Sequence, residues 1–137
     1  MENKTIEITK ELKEQLLQHA WKELPYEACG VISGSAGKGP LQFYPARNEL
    51  KSSTRYQIEP HDLYRIIMDI TEQGLEIWGI FHSHPVSPAY PSETDLKQSY
   101  YPDAYYLIAS FADAKKPVLR AFRIVDKQVE EVEVLII

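Results

Sequence analysis

Ile77-Trp78-Gly79-Ile80-Phe81-His82-Ser83-His84-Pro85 decides the fold, and Pro91-Ser92-Glu93-Thr94-Asp95 follows it closely. An apolar run ending in His-x-His reads as a central strand over 76–84. Side chains alternate faces along a strand, so His82 and His84 leave the same face. Asp95 lies beyond a Pro-rich loop, where the chain can return to that face. Two imidazoles and one carboxylate are the ligand set of a catalytic zinc site with a fourth position open to water. A structural zinc site would more readily recruit Cys, and the chain has a single one, Cys29. The set also accommodates manganese, cobalt or iron.

Outward from this strand, the pattern predicts helices and further strands. Thr9 is a fitting N-cap for a helix to about residue 23, with Leu12, Leu16, Leu17 and Ala20 on one side and Pro25 ending it. Strands are expected over 29–33, 41–45 and 55–58, with Gly34, Gly37 and Gly39-Pro40 in the loop between the first two. Pro60 opens a second helix with Leu63, Ile66, Ile67 and Ile70 at helical spacing, and Gly74 stops it. A short helix is expected from Ser92 to about Tyr100. Strands follow over 105–111, 118–125 and 129–136, the last two joined by a turn at Asp126-Lys127. Strands interspersed with helices and a closing hairpin make this an α/β domain with a mixed sheet.

Ser92-x-x-Asp95 ahead of a helix also reads as a capping box, in which the Ser caps and the acid reaches back. That competes with metal ligation, because one carboxylate does not easily serve as capping partner and ligand together. Ser92 could act through its hydroxyl and cap through its backbone.

His82-Ser83-His84, then seven residues from Pro85 to Pro91, then Ser92-Glu93-Thr94-Asp95, resembles the signature of the JAMM (MPN+) metalloprotease family. An upstream Glu completes that signature, and Glu27 within Pro25-Tyr26-Glu27-Ala28-Cys29-Gly30 stands in a similar setting. Arg47-Asn48, Tyr56-Gln57-Ile58-Glu59-Pro60 and Tyr105-Tyr106-Leu107-Ile108 are further echoes, so the resemblance spans roughly residues 6–125. It implies a curved mixed sheet flanked by helices (the MPN/JAMM, cytidine-deaminase-like fold), with His82, His84 and Asp95 on zinc, Glu27 as general base and Ser92 beside the catalytic water. Chemistry alone does not single out Glu27 among the acids; Glu93, inside the signature, is its rival.

The resemblance further implies zinc-dependent hydrolysis of amide or isopeptide bonds at the C-terminal tail of a ubiquitin-like or sulfur-carrier protein. Stand-alone prokaryotic members are the most similar. A non-catalytic MPN-type scaffold is the alternative, and such domains typically lose the ligands that are retained here. The loop 34–40 and the stretch 86–91 are expected to wall a groove for an extended tail, and Tyr90 to meet it.

Other residues have plainer readings. Cys29 sits among Ala28, Gly30, Val31 and Ile32 as a packed small hydrophobe rather than a nucleophile. His61-Asp62 fits a helix start, and His19 a polar helix face. At 137 residues, 44% apolar and 26% charged, residues 1–137 read as one soluble domain. The net charge of −5, with no basic cluster, argues against nucleic acid as a partner. No apolar run reaches the length of a membrane span, Met1-Glu2-Asn3-Lys4 lacks a leader's apolar core, and one Cys allows no internal disulfide. The cytoplasm is the expected location; the oligomeric state is open.

Overall fold

The structure, a computed structural model, describes residues 5–35 and 37–137. Residues 1–4, read above for a leader, and Ala36 in the 34–40 loop lie outside the described residues. Along the chain run β1 (Thr5–Ile8), α1 (Lys10–Glu23), β2 (Cys29–Ser35), β3 (Gly39–Ala46), α2 (Pro60–Glu72), β4 (Glu76–His84), α3 (Glu93–Lys97), β5 (Tyr105–Ser110), β6 (Val118–Val125) and β7 (Gln128–Ile136). The strands form one mixed sheet in the order β1-β7-β6-β5-β4-β2-β3. β1 runs parallel to β7, and β4 parallel to β5; the other pairs are antiparallel. The sheet is curled, so its two edges, β1 and β3, line a common groove.

Each face of the sheet carries its own core. On one, α1 lays Leu12, Leu16 and Ala20 against Phe43, Phe81, Leu107, Ala121 and Val132. On the other, α2 lays Ile66 and Ile70 against Val31, Ile80, Ile108, Phe122 and Ile124. Thr9 caps α1 by accepting from the Leu12 amide at 3.1 Å. Gly30 must lack a side chain, because a Cβ there would meet the Phe43 ring at 2.5 Å.

Two expected elements differ. No strand forms over 55–58: Ile58 makes only an isolated bridge with Asn48. The Asn48 side chain takes the Leu50 and Gln57 amides, so the chain wraps around that side chain instead of extending beside β3. The helix expected from Ser92 to about Tyr100 stops at Lys97, with Gln98 as its C-cap.

Candidate metal centre

The antiparallel register of β2 on β4 pairs Cys29 with His82. Continuing it places Ala28 opposite Ser83, and the Ser83 amide donates to the Ala28 carbonyl at 3.1 Å. Ser83 Oγ accepts from the Ala28 amide at 2.8 Å. One step further, Glu27 arrives beside His84. Between the histidines, Ser83 thus uses the opposite strand face to fasten the residue after Glu27.

His82 and His84 are buried at the carboxyl end of β4, and Asp95 is delivered to them by the first turn of α3. His82 Nε2 and His84 Nε2 lie 3.1 Å apart, and each lies 3.1 Å from Asp95 Oδ2. His84 Nδ1 donates to the Pro88 carbonyl at 2.7 Å, which leaves a lone pair on Nε2 of the neutral ring. Converging lone pairs repel unless a proton or a cation sits among them. Ligands about 2.0–2.1 Å from a tetrahedral ion stand about 3.3 Å apart, so the triangle has the size of one face of such a site. The donor set fits a metal.

Asp95 also completes a capping box. The Ser92 amide donates to Asp95 Oδ2 at 2.9 Å, and Ser92 Oγ accepts from the Asp95 amide at 3.1 Å. The two expected roles of Asp95 therefore meet on a single oxygen rather than competing, since a carboxylate oxygen has more than one acceptor direction. Ser92 caps through its hydroxyl, not its backbone alone as expected. That hydroxyl still has its hydrogen to donate, and Ser92 is exposed at the rim.

Glu27 is 3% exposed, and its Oε1 has no hydrogen-bond partner among the described residues. A carboxylate oxygen of Glu27 and one nitrogen of each of His82 and His84 lie within 4.8 Å of one another. Burial pushes its carboxyl up to about 8, and His84 only partly offsets this. Burial alone would raise Asp95 too, but the two imidazoles set against its Oδ2 and the hydrogen bond from the Ser92 amide hold it far below the usual carboxylate range. Burial lowers His82; at His84 the bonds to Asp95 and Pro88 outweigh burial and raise it. Glu93 is exposed.

Sequence reasoning missed what surrounds these groups. Tyr56 stacks on His82, with centroids 4.5 Å apart and planes at 21°. Tyr56 and Asn48 lie in the echoes noted above, the only sign available in the sequence. Asp62 is no mere first-turn acid: it accepts from the Arg47 amide and from the guanidinium groups of Arg47 and Arg65. Its bonds to Arg47 hold its carboxyl well below the usual range. His19 is half-buried and donates to the Cys29 carbonyl at 3.0 Å rather than facing solvent. Cys29 is fully buried and its thiol is pushed up to about 12, as befits a packing residue. The His61 side chain is 94% exposed and lies 3.3 Å from Glu59. Tyr90 is half-exposed, with its ring edge-on to Phe122.

The loop 34–40 is not a wall of this site. Gly34 pairs with Glu76, at the other end of β4 from His82. Six residues of strand put about 20 Å between the two ends. Antiparallel pairing sends the β2–β3 turn away from the histidines, whereas the 86–91 stretch stays beside them through Pro88.

Residues 9–125 match the family of prokaryotic homologues of the JAB domain. The chain belongs to this family. Over 128 residues, 90% of this chain and 86% of the relative, it is 36% identical to the CysO-cysteine peptidase of Mycobacterium tuberculosis. It is 28% identical to the desampylase of Haloferax volcanii over 116 residues, 80% of this chain and 84% of that one. A solution structure of a protein from Desulfitobacterium hafniense superimposes with a TM-score of 0.85 at 34% identity, covering 96% of this chain and 92% of that one. A JAB1/MPN domain protein from Archaeoglobus fulgidus shares the fold at a TM-score of 0.63 and 20% identity, with 97% and 98% covered. The curled mixed sheet expected from the sequence is the JAB fold, and no helix among its described residues is long and apolar enough to cross a membrane.

Proposed function

We propose that this JAB domain is a zinc metallopeptidase that cleaves an amide or isopeptide bond at the C-terminal tail of a ubiquitin-like or sulfur-carrier protein. The observation that carries the reading is the triangle of His82 Nε2, His84 Nε2 and Asp95 Oδ2, with beside it the buried Glu27 carboxyl, whose Oε1 has no partner among the described residues. His82, His84 and Asp95 would hold the zinc, which supplies Lewis acidity to polarise a carbonyl and acidify water.

The chain's own groups do the rest. Glu27, desolvated and with its Oε1 unbonded among the described residues, takes the proton of the attacking water and passes it to the leaving amine as the C–N bond breaks. The Ser92 hydroxyl, fixed by the Asp95 amide, donates its hydrogen to the developing oxyanion. Pro88 orients His84, and Tyr56 packs over His82.

The substrate class is supported by relatives named CysO-cysteine peptidase, desampylase and probable TtuB-protein conjugate cleaving protease. The proposal includes action by residues 1–137 as one unit and a cytoplasmic location, which cell fractionation tests. The functional test compares kcat/KM for a folded carrier bearing one extra C-terminal amino acid with that for its isolated tail peptide. The carrier is expected to be the better substrate; equal values would favour a general small-peptide hydrolase.

A further inference from the structure

We infer that Asn48 is a positioning residue for Glu27, acting through the backbone of the loop 48–57; this rests on the peptidase reading above. Asn48 is 7% exposed and sits just beyond β3. A side-chain amide offers two donor hydrogens and two acceptor directions, and Asn48 uses all four. Its Nδ2 donates to the Glu27 carbonyl at 3.1 Å and to the Arg55 carbonyl at 3.0 Å. Its Oδ1 accepts from the Leu50 amide at 3.0 Å and the Gln57 amide at 3.1 Å.

The loop so gathered returns the contact. The Glu27 amide donates to the Ser52 carbonyl at 2.8 Å, within the turn that Asn48 closes. The same loop ends at Tyr56, which stacks on His82. Glu27 precedes β2 and has no ladder of its own, and its Oε1 has no hydrogen-bond partner among the described residues to set its direction. Its position is set by its backbone, held on one side by Ser83 through Ala28 and on the other by Asn48 and Ser52. A base displaced by about 1 Å can lose about 10²-fold in rate. Asp in Asn48's place lacks both donors, and Ala lacks all four bonds.

The test uses the zinc-loaded full chain with four variants, Asn48→Ala, Asn48→Asp, Leu16→Ala and Glu27→Gln. Leu16 lies in the α1 core, away from the site, and its truncation supplies a general loss of stability. Activity is read below every variant's unfolding transition, with zinc content and amide hydrogen exchange at Glu27. Both Asn48 variants are expected to lose about 10–10²-fold in kcat, with KM and zinc content near wild type and the Glu27 amide exchanging faster. Leu16→Ala is expected to lower Tm with kcat intact. If the Asn48 variants keep kcat, or lose it only in step with Tm as Leu16→Ala does, the inference is overturned. If Asn48→Ala proves unfolded, Asn48→Asp, which keeps the two acceptor bonds, decides alone. An active Glu27→Gln would instead overturn Glu27 as the base, and a zinc-loaded wild type that cleaves no carrier tail would overturn the peptidase reading itself.

Discussion

The two ends of β4 present opposite kinds of surface. At the amino end, Glu76 and Trp78 border a groove of about 800 Å³ where the sheet edges approach, with Lys38, Asp103 and Arg123 on its walls. At the carboxyl end, Glu27, His82, His84 and Asp95 are all buried. The large groove holds its charges at arm's length, half or fully exposed. The histidine site forces four titratable side chains together out of water, which costs stability and shifts each of them. Buried polar convergence, not volume, marks where chemistry is built.

The largest effect that could break this comparison comes from the ligands. His82→Ala or Asp95→Ala should remove the bound zinc and reduce hydrolysis to background, by elemental analysis and peptidase assay. The domain should remain folded, because neither core uses the metal. Ser92→Ala should lose about 10²-fold in kcat with zinc retained, the worth of one oxyanion donor.

Titration sharpens the contrast next. In chelator-treated protein the Glu27 pKa is raised from 4.5 to about 8. A group raised on folding gives stability that is whole below its unfolded pKa and lost as pH rises through the folded one. Between about pH 4.5 and 8, wild type should therefore lose stability relative to Glu27→Gln, by at most about 1.4 kcal/mol per pH unit. Denaturant titrations of both proteins across that range check the sign. Adding zinc to the metal-free protein at pH 7 should release protons, fewer in Glu27→Gln, as read by calorimetry in buffers of different ionisation enthalpy. The smallest effect belongs to the other end: Lys38→Ala and Arg123→Ala should change kcat/KM by no more than about twofold.

Much of this was legible in the residues, and what was not has physical reasons. The period-two run through Ile80, His82 and His84 told where the two imidazoles point, because strand alternation is local. The capping box at Ser92 was legible as well, but that the capping amide and both imidazoles meet on one Asp95 oxygen was not. Spacing gives residue types, not the direction of a lone pair. The 34–40 loop was misplaced because sequence does not tell which end of a strand a turn reaches until pairing is known. Asn48 and Tyr56 act across the fold, through bonds to residues far off in sequence, and carry no periodic sign. The strand expected at 55–58 failed for the same reason: a side-chain amide took the bonds a ladder would have used.

The central claim is that the carboxyl end of β4 divides its acids, Asp95 holding the metal and Glu27 moving the proton. Glu27→Gln tests it most directly, with zinc content and kcat/KM measured on the same preparation. Stoichiometric zinc with activity lowered by about 10²–10⁴-fold is the predicted result. Activity near wild type, or zinc lost along with activity, would contradict it.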